Sequence, residues 1–254
     1  MIDLFQTIGK TKAQLENWPL DKEFQLFRRK NSEKAMIQEM IGSVVRKRFW
    51  KRAVEIGGNF LCAYSSQVGK ICIVEKDKVR AKTFQKTAPQ NAEIVNSSWQ
   101  RFFPNKHYDL AVLAHSVCYF HPNNRKRQLE KLFSCMRKGG KILIVTNALS
   151  GDYLSLKHFF YSKNNWNGFL RNNTFLYILN FFVEKPVSIS VSQFRATIKA
   201  KDGEEMLKKL EFLFGYERQH YALRRKQILK FLRQNQMDTR FSLDNSIFVI
   251  QKNV

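Results

Sequence analysis

The stretch RAVEIGGN, Arg52–Asn59, decides the fold of this chain. In it an apolar run passes through a carboxylate, Glu55, and ends in the glycine pair Gly57 and Gly58. The next apolar run ends in a second acid, Glu75. In a doubly wound α/β protein, such glycines let the backbone approach a nucleotide-type ligand, and an acid after the second strand accepts hydrogen bonds from ribose hydroxyls. The pattern therefore predicts a nucleotide-type pocket.

Short apolar runs alternate with helix-like segments through the middle of the chain. We predict helices at 77–86 and 123–136, and strands at 52–56, 70–75, 92–96, 108–114 and 140–147. Continuous apolar strands separated by helices indicate a parallel sheet that is buried on both faces. We expect the helix at 123–136 to end through Arg137–Gly140, with a glycine in the left-handed conformation.

The two ends of the chain add helices and further strands. Residues 1–49 are predicted to form a helical cap, because apolar residues recur at helical spacing between Met36 and Ile41, after a candidate N-cap at Ser32. Residues 50–254 are predicted to form one α/β domain, with a helical insertion at about 151–195 after the fifth strand. Beyond it we predict a helix from Asp202, a strand around 216–222, a basic helix at 224–234 and a last strand at 246–251.

The composition indicates a folded intracellular protein. The chain has 254 residues, 44% of them hydrophobic, and its 22 Phe residues are enough to build a sizeable core. The four cysteines are widely spaced without a CxxC pair, so neither a metal site nor a disulfide framework is expected. The N-terminus lacks the pattern of a secretory signal, and the most apolar stretch, 175–183, is too short to span a bilayer. We therefore expect a cytoplasmic protein that is not integral to a membrane.

The charge is the outlier of the composition. The 44 Lys and Arg residues against 21 Asp and Glu give a formal net charge of +23. Such a balance favours weak binding to nucleic acid or to another anionic surface, although the basic residues are spread along the whole chain. The amphipathic helix at 224–233 has a basic face that could dock on phosphate or anionic lipid; the alternative is a face that is merely solvated.

The order of these segments resembles a class I S-adenosylmethionine-dependent methyltransferase. The resemblance runs from about Arg52 to Gln251, and its pieces are EIGGN, IVEKD, YDLAVLAHSVCYF, RKGGKILIVTN and DGEEMLKKLEFLFGYE. It implies a doubly wound, Rossmann-like sheet of seven strands with an antiparallel last strand. Within that superfamily the chain looks similar to the histamine N-methyltransferases, in segments 31–39, 73–75, 149–152 and 244–249.

One departure from the superfamily pattern lies in the glycine loop. Where its first motif carries a third and often a fourth small residue, this chain has Asn59 and Leu61. Because Leu does not readily adopt positive φ, we expect either a remade loop or a reduced cofactor affinity.

The resemblance implies a set of cofactor-binding residues. S-adenosylmethionine would meet the loop at Glu55, Gly57, Gly58 and Asn59. Glu75 would accept hydrogen bonds from the ribose hydroxyls. Three further candidates, near the adenine or at the end of the fourth strand, are Ser97, Ser98 and Ala114.

A second set of residues would meet the substrate. His115 follows the fourth strand and could act as a base, or could be an ordinary strand-end histidine. Glu33 could hold an ammonium group; the alternative is a first-turn acid that complements the helix dipole. The remaining candidates are aromatic, or lie at the far end of the chain, where Asp244 could equally be a turn residue: Phe24, Phe27, Tyr119, Tyr153, Trp166 and Asp244.

Three hypotheses follow for the function. The first is a methyltransferase that acts on a small molecule, with an amine as the expected acceptor. The second is a methyltransferase of RNA or other nucleic acid that uses the basic surface for binding. The sequence after the fourth strand, Ala114–Val117, lacks the Asn-Pro-Pro-aromatic run of enzymes that methylate exocyclic base amines. The third is a methyltransferase-like domain that binds a partner without turnover.

Overall fold

The computed structural model describes residues 32–161, 173–211, 213 and 223–254. The described residues belong to two compact units. The first holds residues 32–197 and 241–254, and the second holds the described residues of 198–240. All the described site residues discussed below lie in the first unit.

The first unit is built on a seven-stranded sheet of order β3-β2-β1-β4-β5-β7-β6. Strands β1 to β5 pair in parallel, and β7 runs antiparallel to β5. This confirms the predicted doubly wound sheet with an antiparallel last strand. The strands are β1 Trp50–Ile56, β2 Val68–Glu75, β3 Ala92–Asn96, β4 Tyr108–Ala114, β5 Met136–Asn147, β6 Val187–Lys199 and β7 Arg240–Lys252.

Helices precede, connect and follow the strands. The α-helices are α1 Glu33–Val45, α2 Lys78–Thr87, α3 Pro122–Ser134, α4 Gly151–Phe160, α5 Thr174–Val183, α6 Gly203–Leu210 and α7 Arg225–Gln234. Short 3-10 segments span Phe60–Gln67 and Val117–Tyr119. The helices predicted before the first strand, after the second strand and at 224–234 are therefore confirmed.

The central strands are apolar on both faces because helices cover both sides of the sheet. Alternate residues of β4 enter different clusters: Ala111 and Leu113 pack on one side, and Leu110 and Val112 on the other. Residues of α3 and α5 complete the first cluster, whereas residues of α1 and α2 complete the second. A strand that is buried on both faces is apolar at nearly every position, so it appears in the sequence as a continuous apolar run. This is why β4 could be predicted from the sequence.

The starts of α2 and α1 differ in their capping. The Asp77 carboxylate accepts a hydrogen bond from the backbone N–H of Arg80 at 2.7 Å and so caps α2. Ser32 occupies the N-cap position of α1, but its hydroxyl makes no cap bond and accepts instead from the N–H of Thr197 at 3.2 Å. The predicted side-chain cap at Ser32 is therefore wrong, because a tertiary contact takes its oxygen.

The predicted helix exit at Arg137–Gly140 is also wrong. Helix α3 ends at Ser134, and β5 begins at Met136. Gly139 does have positive φ, at 73°, but it lies in a bulge of β5, where the register with β4 shifts. The left-handed glycine was recognised, yet it serves the β5 bulge and not a helix end.

The region after the fifth strand differs from the expected helical insertion. Helices α4 and α5 lie within 151–195, but the same stretch also contains most of β6. The alternation in VSISVSQFRATIK, 187–199, is the period of a strand with one buried face, a signal that the aromatic and basic composition nearby obscured. The strand predicted around 216–222 lies outside the described residues.

Two further features bear on chemistry and location. All four cysteines are free, and burial raises the pKa of the Cys62 and Cys72 thiols to about 11, which disfavours the reactive thiolate. In the described part of the chain, no helix is both long and apolar enough to cross a bilayer.

We expect the Leu143→Ala variant to lose about 2–5 kcal/mol in its free energy of unfolding, because Leu143 is fully buried in the central strand β5. The matched control is Leu223→Ala, since Leu223 is 84% exposed and its loss should change stability by less than about 0.5 kcal/mol. Denaturant unfolding measures both. Equal losses would contradict the placement of β5 at the centre of the core.

Candidate active site at the carboxyl edge of the sheet

The loop after β1 is organised by a buried carboxylate. Glu55 is fully buried, and its two oxygens accept hydrogen bonds from the backbone N–H groups of Phe60 at 2.8 Å and Leu61 at 2.9 Å. Burial raises the pKa of the Glu55 carboxyl to about 7, although these two hydrogen bonds and the charge of Arg80 oppose the shift. The structure thus places Glu55 behind the loop as its anchor; a direct cofactor contact of this residue remains a prediction.

The two glycines occupy positions where a side chain does not fit. Gly57 has φ of 77°, and an added Cβ would lie 2.9 Å from the hydroxyl oxygen of Ser116. A Cβ on Gly58 would collide with the carboxylate of Glu55. The Ser116 hydroxyl donates to the carbonyl of Ile56 and so joins the end of β1 to the segment after β4. The sequence identified the glycines but missed Ser116, which has no sequence signature of its own.

The loop accommodates Asn59 and Leu61, the two residues that differ from the superfamily pattern, without a left-handed residue at Asn59. Asn59 has φ of −144°, so the chain needs no further left-handed residue there. The loop continues as the 3-10 segment Phe60–Gln67, and the Leu61 side chain is fully buried in the core cluster that contains α1. The loop thus accommodates Leu61 by packing its side chain in the core, and the effect on cofactor affinity stays a prediction.

Glu75 ends β2 and is tied to the glycine loop through Arg80. One carboxylate oxygen of Glu75 accepts from the N–H of Asp77 at 2.9 Å, and the other lies 3.1 Å from Nη1 of Arg80. The second guanidinium nitrogen of Arg80 donates to the carbonyl of Gly57 at 3.2 Å. The Glu75 side chain is only 2% exposed, so a ligand would reach its carboxylate by displacing Arg80 or by sharing it. Sequence reasoning did not single out Arg80.

The remaining cofactor candidates lie beside these groups. The backbone N–H of Ser97 donates to the carbonyl of Glu75 at 3.1 Å, which fixes Ser97 next to the end of β2. The hydroxyl of Ser98 accepts from the N–H of Arg101 and so stabilises a turn. Ala114 is the last residue of β4, and its carbonyl accepts from the Ser116 hydroxyl at 3.2 Å. Their roles toward a cofactor stay predictions.

His115 follows β4 in an unusual backbone conformation. Its φ is 53°, a region that non-glycine residues rarely adopt, and its N–H donates to the carbonyl of Val145 at 2.9 Å. Strained residues of this kind concentrate at functional sites. The position is also where a doubly wound sheet binds ligands, because neighbours β1 and β4 lie at the point where the strand order reverses.

Three residues from distant parts of the sequence meet at this position. Oε1 of Glu33, in the first turn of α1, lies 3.1 Å from Nε2 of His115 and also accepts from Nδ2 of Asn245 at 3.1 Å. Burial alone would raise the pKa of Glu33, but the charge of His115 and the hydrogen bonds from His115 and Asn245 outweigh it and hold the pKa below its ordinary value. We call this group the Glu33 cluster. It unites the two residues that the sequence proposed as catalytic.

Asn245 is the member of the cluster that the sequence analysis missed. It is fully buried in β7, and its side-chain oxygen has no hydrogen-bond partner within the described chain. A buried amide oxygen without a donor costs about 1–3 kcal/mol, so its retention favours a site that receives a donor from a ligand. The available signal was the polar run Asp244–Ser246 inside an apolar strand, from which the neighbouring Asp244 was chosen.

The other substrate candidates have separate surroundings. Asp244 accepts from Arg195 at 2.7 and 3.0 Å and from the hydroxyl of Ser150 at 3.0 Å, and the hydrogen bond from Arg195 is the first cause of its lowered pKa. Tyr119 is 58% exposed, with the ammonium of Lys76 5.5 Å from its ring centre. A substrate role for either residue stays a prediction.

Some of the candidates lie outside the described residues, namely Phe24, Phe27 and Trp166. Tyr153 is described and lies in α4, with Lys157 5.7 Å from its ring centre. Within the described ranges, no group of three or more His, Cys, Asp or Glu side chains is arranged to hold a metal ion.

Comparison with known proteins identifies the fold. No family model matches the sequence, and no curated protein matches it. The solved structure of the YcgJ protein from Bacillus subtilis aligns over 85% of this chain and 98% of its own, with 14% identity and a TM-score of 0.59.

Two further solved structures that align with this chain are of proteins described as methyltransferases. The N-methyltransferase NodS from Bradyrhizobium japonicum WM9, in complex with S-adenosyl-L-homocysteine, aligns over 97% of each chain, with 10% identity and a TM-score of 0.51. The plantazolicin methyltransferase BpumL, in complex with the same compound, aligns over 94% of this chain and 93% of its own, with 13% identity and a TM-score of 0.56. Because the sequence identities are this low, the structural alignments establish a shared fold and nothing more specific. The chain therefore has the fold of the class I methyltransferases.

We expect Gly57→Ala to destabilise the protein more than Gly139→Ala, although both glycines have positive φ. At Gly139 a Cβ meets nothing within 4 Å, so the cost is the left-handed backbone alone, about 1 kcal/mol. At Gly57 the contact with Ser116 adds to it, for a total of about 2–4 kcal/mol. Denaturant unfolding of both variants measures the difference, and equal losses would contradict the close packing of the loop.

Proposed function

We propose that the protein is an S-adenosylmethionine-dependent methyltransferase that acts on an amine nitrogen of a small molecule. The observation that carries the proposal is the Glu33 cluster, which stands next to the glycine loop at the carboxyl edge of the sheet. The residues at 31–39 and 244–249, which contribute Glu33 and Asn245, are also those that resemble the histamine N-methyltransferases.

The residues of the loop fit the proposed cofactor. Gly57 and Gly58 leave the backbone without side chains beside the end of β1, as a close approach by a ligand requires. Glu75 supplies two acceptor oxygens, which suit the vicinal hydroxyls of a ribose. The complexes of NodS and BpumL with S-adenosyl-L-homocysteine, on the same fold, support this assignment. When bound, S-adenosylmethionine supplies a methyl group on a positively charged sulfur.

The Glu33 cluster suits an amine as the acceptor. An amine presents N–H donors, and the buried side-chain oxygen of Asn245 is an acceptor without a protein partner in the described chain. Glu33 is ionised at neutral pH, because its pKa lies below the ordinary value of a carboxyl. A carboxylate and an amide oxygen therefore face the position of a cationic or hydrogen-bonding nitrogen.

The cluster also accounts for the proton that the reaction releases. A nitrogen attacks a methyl group only through a free lone pair, so an ammonium proton must leave before the new C–N bond forms. The base is His115. Its Nε2 faces Glu33 at 3.1 Å and carries the proton of that pair, so Nδ1 is the nitrogen that accepts, and Glu33 stabilises the imidazolium that results. Asn245, which is fully buried, orients the nitrogen.

We expect wild-type protein to bind S-adenosyl-L-homocysteine in a calorimetric titration, and Glu75→Ala to bind it about 10- to 100-fold more weakly. The reason is the loss of charge-assisted hydrogen bonds to the ribose, each contributing about 1.5–3 kcal/mol. The matched control is Glu93→Ala, since Glu93 is an exposed carboxylate on β3.

A second control separates the carboxylate from its partner. Removing Glu75 also frees Arg80, so Arg80→Ala is titrated alongside. Retained binding in Arg80→Ala, with loss in Glu75→Ala, assigns the effect to the carboxylate. No heat from the wild-type protein at any workable concentration would refute the proposed cofactor.

We expect Glu33→Gln to reduce the transfer of radiolabelled methyl groups to small amines at least about tenfold at neutral pH, because the variant no longer stabilises His115 in its charged form. A panel of primary, secondary and heteroaromatic amines is offered with S-adenosylmethionine. The control is Glu39→Gln on the same helix, whose carboxylate is 72% exposed and pairs with Arg46. If both variants keep the wild-type rate, the cluster has no part in the reaction.

A further inference from the structure

A patch of positive charge lies at the opposite, amino edge of the same sheet. Two loops form it: the connection between α1 and β1, and the bulge at the start of β5. Its cationic side chains, which we call the amino-edge patch, are Lys47, Arg48, Arg137, Lys138 and Lys141. Asp109, 3.6 Å from Arg137, is the carboxylate that pairs with it among the described residues.

The two loops are held together by specific contacts. Nη2 of Arg48 donates to the carbonyl of Gly139 at 3.0 Å, and its guanidinium lies 4.0 Å from the ring centre of Trp50. Trp50 is 1% exposed, and its ring nitrogen donates to the carbonyl of Val45 at 3.0 Å. Arg48 is therefore held against buried structure and joins the two loops.

Three cations of the patch, Lys47, Arg48 and Lys141, are close enough to repel one another. The pKa of Lys141 is lowered, first by partial burial and then by the positive charges of Arg48 and Lys47. One carboxylate offsets five cations, so the patch carries a formal net charge of about +4. An arrangement of this kind is relieved by a polyanion, which gains free energy from every cation it meets.

One exposed aromatic side chain borders the patch, in the connection between α1 and β1. Phe49 lies between Arg48 and Trp50 in the chain and is 63% exposed. Aromatic rings beside a positive groove serve as stacking platforms for unpaired bases, which is how many proteins bind single strands without sequence preference. A docking surface for an anionic membrane would instead present a broad apolar face, whereas the two loops, both within the described residues, expose one large apolar side chain, Phe49.

We propose that the amino-edge patch binds single-stranded nucleic acid, with the cations on the phosphodiester backbone and Phe49 stacked on a base. The patch lies at the other end of the strands from the Glu33 cluster, so this inference stands apart from the proposed methyl transfer. It also gives the net charge of +23 a local role in a chain whose basic residues are otherwise dispersed.

The test compares two double variants that change the charge equally. Lys47→Glu with Lys138→Glu reverses two cations of the patch, and Lys226→Glu with Lys230→Glu reverses two exposed cations of α7. The probe is a fluorescein-labelled oligouridylate of about 16 nucleotides, followed by fluorescence anisotropy over a series of salt concentrations. We expect the patch variant to bind the oligonucleotide at least about tenfold more weakly than the wild-type protein and the α7 variant do. The slope of log K against log salt concentration should fall by about 0.7 for each lost phosphate contact.

Phe49→Ala tests the stacking separately from the charge. We expect an approximately tenfold loss of affinity with the salt slope unchanged, because the variant keeps every cation. Thermal unfolding of each variant confirms that the fold is retained, as the exposure of these side chains leads us to expect.

Three results would overturn the proposal. The first is an equal or greater loss in the α7 variant, which would place the binding elsewhere. The second is a wild-type protein that does not bind the oligonucleotide at low salt. The third is a patch-dependent association with phosphatidylserine vesicles that exceeds any binding to the oligonucleotide, which would assign the patch to a lipid surface.

Discussion

The hydrogen bonds from two backbone N–H groups to the buried carboxylate of Glu55 hold the site in its geometry. They fold the chain back after β1 and bring Phe60 and Leu61 over the end of the strand. Because the turn is anchored from behind, Gly57 and Gly58 present bare backbone at the edge of the sheet, and Leu61 packs in the core. Burying this carboxylate is unfavourable, and the raised pKa of Glu55 reflects that. Because solvent does not reach the charged form, the two backbone N–H groups must stabilise it.

The Glu33 cluster depends on that arrangement through the strand order. His115 follows β4, Asn245 lies in β7 and Glu33 begins the helix before β1, so the three residues are close only when the sheet is complete. Helix α1 contributes by packing its apolar side on β1 and β4, which turns its first residue toward the carboxyl edge. A partly buried carboxylate, an imidazole and an amide then form one hydrogen-bonded group, with a free acceptor on the amide.

The two edges of the sheet carry opposite chemistry. The carboxyl edge holds the buried Glu55 and Glu75 and the partly buried Glu33, each paired with donors or cations. The amino edge gathers cations around a bulge that the β5 register shift creates. A chain that is basic overall thus keeps acidic groups at its proposed catalytic edge, where a cationic ligand would need them, and concentrates uncompensated positive charge at the other end of the same strands.

The sequence alone determined the parts of the protein that rest on local pattern. The continuous apolar runs located β4 at its observed bounds and β1, β2 and β5 within a few residues, because a strand buried on both faces must be apolar throughout. The short run at 92–96 located β3 as well, although β3 is an edge strand with an exposed carboxylate. The glycine pair, Glu75, His115 and Glu33 could be named because their residue types and positions at element ends are informative by themselves.

Tertiary structure alone decided which groups meet. The hydroxyl of Ser32 bonds to Thr197 instead of capping its helix, Gly139 serves a bulge, and β6 lies inside a segment whose composition suggested helices. Arg80, Ser116 and Asn245 gain their roles from partners 23 to 212 positions away in the chain. The physical reason is that a polar side chain has several partners of similar free energy, and only the packed sheet fixes which one lies within hydrogen-bonding distance.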